Sequence, residues 1–124
     1  MKPFNHTQAI FHVCLLFSMA LPAVAGADIA CKDAQDCRLK WQRAEKWVRE
    51  NSHWPIASAT DTKIETERQR GRGYSNLYYR ITKEKQDGQT VIQFYANCLP
   101  SFSCNPDPEQ AQESFSRYVS PLND

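Results

Sequence analysis

The chain has 124 residues, with 15 Lys and Arg against 14 Asp and Glu, a formal net charge of +1, five cysteines and only four glycines. That length suits one domain with a modest core. A charge so close to zero excludes the electrostatic steering typical of nucleic-acid or anionic-membrane binders, so no nucleic-acid partner is expected.

The first segment reads as an export signal. Lys2 precedes the apolar run Ala9 to Leu21, then comes Pro22, then the small-residue site Ala23-Val24-Ala25. A cut after Ala25 is expected, with Ala27 the alternative, dividing the chain into a signal peptide over 1–25 and a single domain over 26–124. The apolar run is short for a bilayer span of about 20 residues, and nothing later is longer, so no membrane span is expected after signal removal. A lipoprotein reading of Cys31 fails because Asp28 stands where an aliphatic residue is needed. Losing the leader removes Lys2, His6, His12 and Cys14. It leaves fourteen basic against fourteen acidic residues, one histidine and four cysteines. An even cysteine count in a short exported chain reads as a disulfide framework, and places the protein in the periplasm or outside the cell.

Asp33 and Asp36 suit the start of a first helix. Cys37, Trp41, Ala44 and Val48 recur at four, three and four residues and trace its apolar stripe, with Trp47 beside them. Lys40, Arg43, Lys46, Arg49 and Glu50 form the opposite, solvated face, and Trp54-Pro55 forces an extended exit. The segment Ile56 to Glu67 alternates Thr and β-branched residues with charge and forms one strand, or two if it bends near Thr60-Asp61. Asn76 to Lys85 and Thr90 to Cys98 flank Asp87-Gly88, a preferred two-residue hairpin turn. That turn sets Ile81 opposite Phe94, Tyr79 opposite Ala96 and Leu77 opposite Cys98 on one face. Arg80 then meets Tyr95, and Tyr78 meets Asn97, on the other. Asp107, Pro108 and Gln110 begin a last helix whose stripe is Ala111, Phe115, Tyr118 and Val119. The expected fold is a small α+β domain: helix, three-stranded antiparallel sheet, helix, with two disulfides. Both helices cover one sheet face and the other face is wet.

Both cysteine pairs have five residues between them, which is neither a redox motif nor a zinc pattern, so no metal and no cofactor are expected. Cys31–Cys37 with Cys98–Cys104 is the favoured pairing. Cys37–Cys98 with Cys31–Cys104 remains open, because Cys37 and Cys98 both face inward and spacing does not decide connectivity. His53, the one mature histidine, has no partner in any catalytic pattern. Glu65 and Glu67 share a strand face, a spacing that suits paired acid and base roles when burial separates them. A helix before a sheet presenting Glu65, Arg80 and His53 resembles the layout of small secreted ribonucleases. It departs from it because His53 precedes the sheet and no basic or histidine ligand follows on the last strand.

Arg68, Arg70 and Arg72, followed by Tyr74, Tyr78 and Arg80, interleave cations with aromatics. Leu99 and Phe102 lie within the span closed by Cys98–Cys104, a device that resembles the short disulfide-closed loop some periplasmic lysozyme inhibitors insert into an enzyme cleft. Preorganised loops of this kind lower the entropic cost of binding. The favoured function is therefore a small, exported, non-catalytic binding protein, its partner a protein or an envelope enzyme to be inhibited. Arg70, Arg72, Tyr78, Arg80, Tyr95 and Phe102 are its contact residues. The alternatives are a ribonuclease-like hydrolase using Glu65, Arg80 and His53, and a structural accessory of an envelope assembly. Oligomeric state is left open.

Overall fold

The protein is described by a computed structural model covering residues 28–68, 76–98 and 103–122. The local signals fold as their chemistry dictates. The Asp33 carboxylate accepts from the Asp36 main-chain N–H at 2.8 Å and begins helix α1 (Ala34–Asn51). Asp107 and Gln110 form a reciprocal capping box ahead of helix α2 (Pro108–Val119), with Pro108 in its first turn. The hairpin strands β4 (Leu77–Gln86) and β5 (Gln89–Cys98) pair without a break from Leu77–Cys98 to Gln86–Gln89. Asp87 and Gly88 turn between them at φ of 52° and 80°, the left-handed pair such a tight turn needs.

The sheet has five strands where three were expected. Ile56 to Glu67 divides into β2 (Ile56–Ala59) and β3 (Lys63–Thr66), because the Thr60 hydroxyl accepts from the Thr62 and Lys63 main-chain N–H groups and closes a turn. The fifth strand, β1 (Ile29–Ala30), has only two residues and pairs with Ile92 and Val91. Two residues carry no periodicity, so β1 leaves no trace in the pattern. The order across the antiparallel sheet is β1-β5-β4-β3-β2. β3 and β4 part at Thr66, whose buried hydroxyl accepts from the Tyr79 main-chain N–H at 3.1 Å in place of a ladder carbonyl.

Both helices pack on one sheet face. Trp47, expected at the margin of the apolar stripe, sits at the centre of the core. Its ring meets Tyr79, Phe94 and Phe115 edge-on, with centroids 5.2, 5.7 and 5.4 Å away. Its indole N–H donates to the Ser114 hydroxyl on α2 at 3.2 Å. Ile64, Ile81, Ile92, Val48, Phe115 and Val119 are fully buried around it.

Two basic residues assigned to the solvated helix face are recruited inward. Lys40 is 4% exposed, and its ammonium donates to the Ala30 carbonyl at 3.0 Å and to the Asp36 carboxylate at 2.8 Å. A buried ammonium is tolerated only with such partners, and these tie β1 to α1. Arg43 donates to the Val119 carbonyl at the end of α2. The disulfides formed are Cys31–Cys37 and Cys98–Cys104, so the crossed pairing is not adopted. Two intramolecular disulfides are consistent with an oxidising compartment. Among the described residues no helix is long and apolar enough to cross a membrane.

Candidate functional site

Strand alternation sends β4 and β5 side chains to opposite faces, and the outer face carries the chemistry. Register places Glu65 of β3, Arg80 of β4 and Tyr95 of β5 in one row, with Tyr78 beside Asn97 in the next. The Arg80 guanidinium lies over the Tyr95 ring, 4.7 Å from its centroid. Arg68, just past β3, lies over the Tyr78 ring at 5.0 Å. The two tyrosines meet edge-on at 6.3 Å. Each cation is thus held by a ring quadrupole.

Carboxylate pairing does not compete with this stacking. Glu65 faces Arg80 across the β3–β4 pair, yet no ion pair forms between them. Among the described residues the ion pairs run along the helices, at Lys40–Asp36, Lys46–Glu50, Arg49–Glu45 and Arg117–Glu113. Among the described residues no carboxylate pairs with Arg68 or Arg80, a geometry suited to an incoming carboxylate or phosphate.

The outer face is less wet than its sequence implies. Tyr95 is 44% exposed, but Tyr78 is only 2% exposed. Among the described residues its buried hydroxyl makes no well-formed hydrogen bond, with the Glu65 carboxylate and Arg68 guanidinium nearby. Burial pushes the Tyr78 phenol above its ordinary value, a weak hydrogen bond toward Glu65 and that carboxylate's charge add to the rise, and Arg68 opposes it. An aromatic in a two-residue alternation reads as solvent-facing. It is the neighbouring Tyr95 edge and the Arg68 stack that turn it into buried surface.

The three hydrolase candidates do not gather. Glu65 and Arg80 are register partners on the outer face. His53 lies beyond the end of α1, edge-on to Trp54 at 4.9 Å, in a cleft of about 410 Å³ lined by Arg49, Ser52, Trp54, Pro55 and Ile56. Neither Glu65 nor Arg80 lines that cleft. Arg70, Arg72 and Phe102, with Tyr74 and Leu99, lie outside the described residues. Among the described residues no group of three or more His, Cys, Asp or Glu gathers to hold a metal.

A second concavity was not anticipated from the sequence. Two clefts of about 540 and 550 Å³ flank the start of α1 and share Ala34, Cys37 and Thr90. They exist because the hairpin extends past the helix, leaving Lys83, Lys85 and Thr90 on the helix side of the sheet with little above them. Lys83 rests over the Trp41 ring at 4.9 Å. The signal was present in the register, since Lys83 and Lys85 fall on the same face as Ile81, an unusual place for lysines. Their side walls mix acids and bases, Asp33, Asp61 and Asp87 with Lys32, Arg38 and Lys85, and favour no one charge.

Compared with protein families, with curated proteins and with solved structures, the chain matches none.

Proposed function

We propose that the protein is a small, exported, non-catalytic binding protein, resident in the periplasm or secreted, that engages a protein partner through the outer face of its sheet. The observation that carries this reading is the pair of arginines stacked on Tyr78 and Tyr95 with, among the described residues, no carboxylate paired to them. Such guanidinium groups are already ordered, so a partner's carboxylates meet them at little further entropic cost. Tyr and Arg together are also the residue types in which binding energy concentrates at interfaces. An envelope enzyme with an acidic cleft is the form of partner that an inhibitor of this kind fits.

The decisive experiment is capture from periplasmic extract by the wild-type protein and by an Arg68→Ala/Arg80→Ala variant, with circular dichroism confirming the fold of both. The wild type should retain a partner that the variant loses. An identical set of retained proteins would overturn the reading. Glu65 opposite Arg80 favours one second reading, the ribonuclease-like hydrolase. There, phosphodiester cleavage by the purified protein should disappear in Glu65→Gln, and its absence from the wild type removes that reading.

A further inference from the structure

The groove beside the start of α1 is a built feature, because each of its walls is bonded to the next. Its two clefts, of about 540 and 550 Å³, meet at Ala34, Cys37 and Thr90. The Cys31 main-chain N–H donates to the Thr90 carbonyl at 2.9 Å, and the Cys31–Cys37 disulfide carries that link on to α1. The Lys83 main-chain N–H donates to the Thr62 carbonyl at 2.9 Å and joins the hairpin to the turn between β2 and β3. The Trp41 indole N–H donates to the Thr60 carbonyl at 3.2 Å and joins that turn back to α1. Hairpin, turn and helix thus form a closed circuit around the opening. The groove sits at the Gln86–Gln89 end of the hairpin. Leu77 and Cys98 meet at the other end, and β1 runs in from that side too.

We infer that this groove binds a neutral oligosaccharide, with the C–H face of one sugar ring at Trp41 and its hydroxyls on the walls. The groove opens on the helix side of the sheet, so the inference is independent of the outer-face reading. Trp41 spends its one polar group on Thr60 and offers the groove apolar ring alone. The Lys83 ammonium lies over that ring, 4.9 Å from the centroid, and with Lys83 in place Trp41 is only 8% exposed. A cation resting on a ring at a half-exposed site is weakly held. Its long flexible arm can yield the ring to a ligand and keep its donors at the rim.

The surrounding side chains set the class of ligand. Arg38 and Gln42 of α1 and Asp61 of the turn line the same cleft as Trp41 and Lys83. Arg38 and Lys83 only donate, Asp61 only accepts, and Gln42 does both. An anion that suits the first pair is repelled by Asp61, and a cation meets the reverse. A hydroxyl donates and accepts, so a row of hydroxyls satisfies all four groups without carrying charge. Lys85 and Asp87 repeat the pairing of donor with acceptor in the adjoining cleft, where the next sugars of a chain would lie. An apolar floor with a few convergent polar groups is the composition of a small-ligand site. Walls fixed beforehand leave little ordering cost on binding.

The probe is the trimer of N-acetylglucosamine, titrated into the full oxidised protein and followed by its amide signals and the Trp41 indole N–H signal. Saturable shifts should gather at Ala34, Trp41, Asp61, Lys83 and Thr90 and leave Tyr95 in place. Asp61→Ala and Gln42→Ala change exposed side chains, and each should weaken binding about tenfold. The trimers of galacturonate and of glucosamine, each carrying one sign of charge, should both bind more weakly than the neutral trimer.

The inference is overturned if the neutral trimer at millimolar concentration gives no saturable shift, or if the shifts gather on the outer face instead. Tighter binding of either charged trimer also overturns it, since the groove is then an ion site. So does wild-type affinity in both variants, because the walls then take no part.

Discussion

The two faces of the sheet are built from the same five strands and resolve their aromatics, which β4 and β5 carry, in opposite ways. On the helix side Trp47, Tyr79, Phe94 and Phe115 meet ring against ring, and the one indole N–H among them finds the Ser114 hydroxyl. On the outer side Tyr78 and Tyr95 meet guanidinium groups, and the Tyr78 hydroxyl makes no well-formed hydrogen bond to a described residue. The first arrangement is complete and contributes stability. The second leaves, among the described residues, a poorly bonded polar atom under cover and two cations with no carboxylate paired to them, which costs stability and suits a surface kept for something else.

The comparison breaks most directly at Trp47. Trp47→Ala removes the ring on which three others pack and should cost about 3–5 kcal/mol, read from urea unfolding. A loss below about 1 kcal/mol would mean that the helix-side cluster is not the core.

The next effect is on acid stability. The Lys32 main-chain N–H, and then the Lys40 ammonium, hold the Asp36 carboxyl below its ordinary value of 3.8. A carboxyl depressed in the folded state stabilises above its unfolded value and loses that contribution as pH falls through its folded one. Wild type should therefore weaken below about pH 4. Asp36→Asn should be less stable at neutral pH and should flatten that acid limb. Equal acid limbs in the two proteins would detach Asp36 from the β1–α1 junction.

Smaller, and opposite in sign, is the effect of Tyr78→Phe. Removing a buried hydroxyl that makes no well-formed hydrogen bond to a described residue should stabilise by about 1 kcal/mol, visible as a raised melting temperature. A destabilisation instead would show that the hydroxyl has a partner, and would erase much of the contrast between the faces. Tyr95→Ala should change stability least, within about 0.5 kcal/mol, while abolishing partner capture. A large stability loss there would make the outer face a second core.

The hairpin was legible because its signals are local. Asp87-Gly88 admits the turn, and only one register puts Leu77, Tyr79, Ile81, Phe94 and Ala96 on one face. The capping box at Asp107 and Gln110 was legible for the same reason, since donor and acceptor lie three residues apart. The row Glu65–Arg80–Tyr95 was only half visible. The hairpin predicted Arg80 against Tyr95, but Glu65 joined them through the β3–β4 pairing, a long-range contact with no turn signal to set its register. Lys40 was misplaced because helical periodicity assigns it to solvent, and only the arrival of the Ala30 carbonyl from β1 makes its burial favourable. Tyr78 was misplaced in the same way.

Sequence alone therefore determined the two helices, the hairpin and its register, the caps and the sulfur-rich, near-neutral character of the chain, because each depends on neighbours within a few residues or on composition. Tertiary structure decided the rest. It fixed which lysine is buried and which tyrosine is covered, and stacked two arginines on tyrosine rings where, among the described residues, no carboxylate pairs with them. Those depend on what a distant strand brings alongside, and a one-dimensional pattern carries no distance across a sheet.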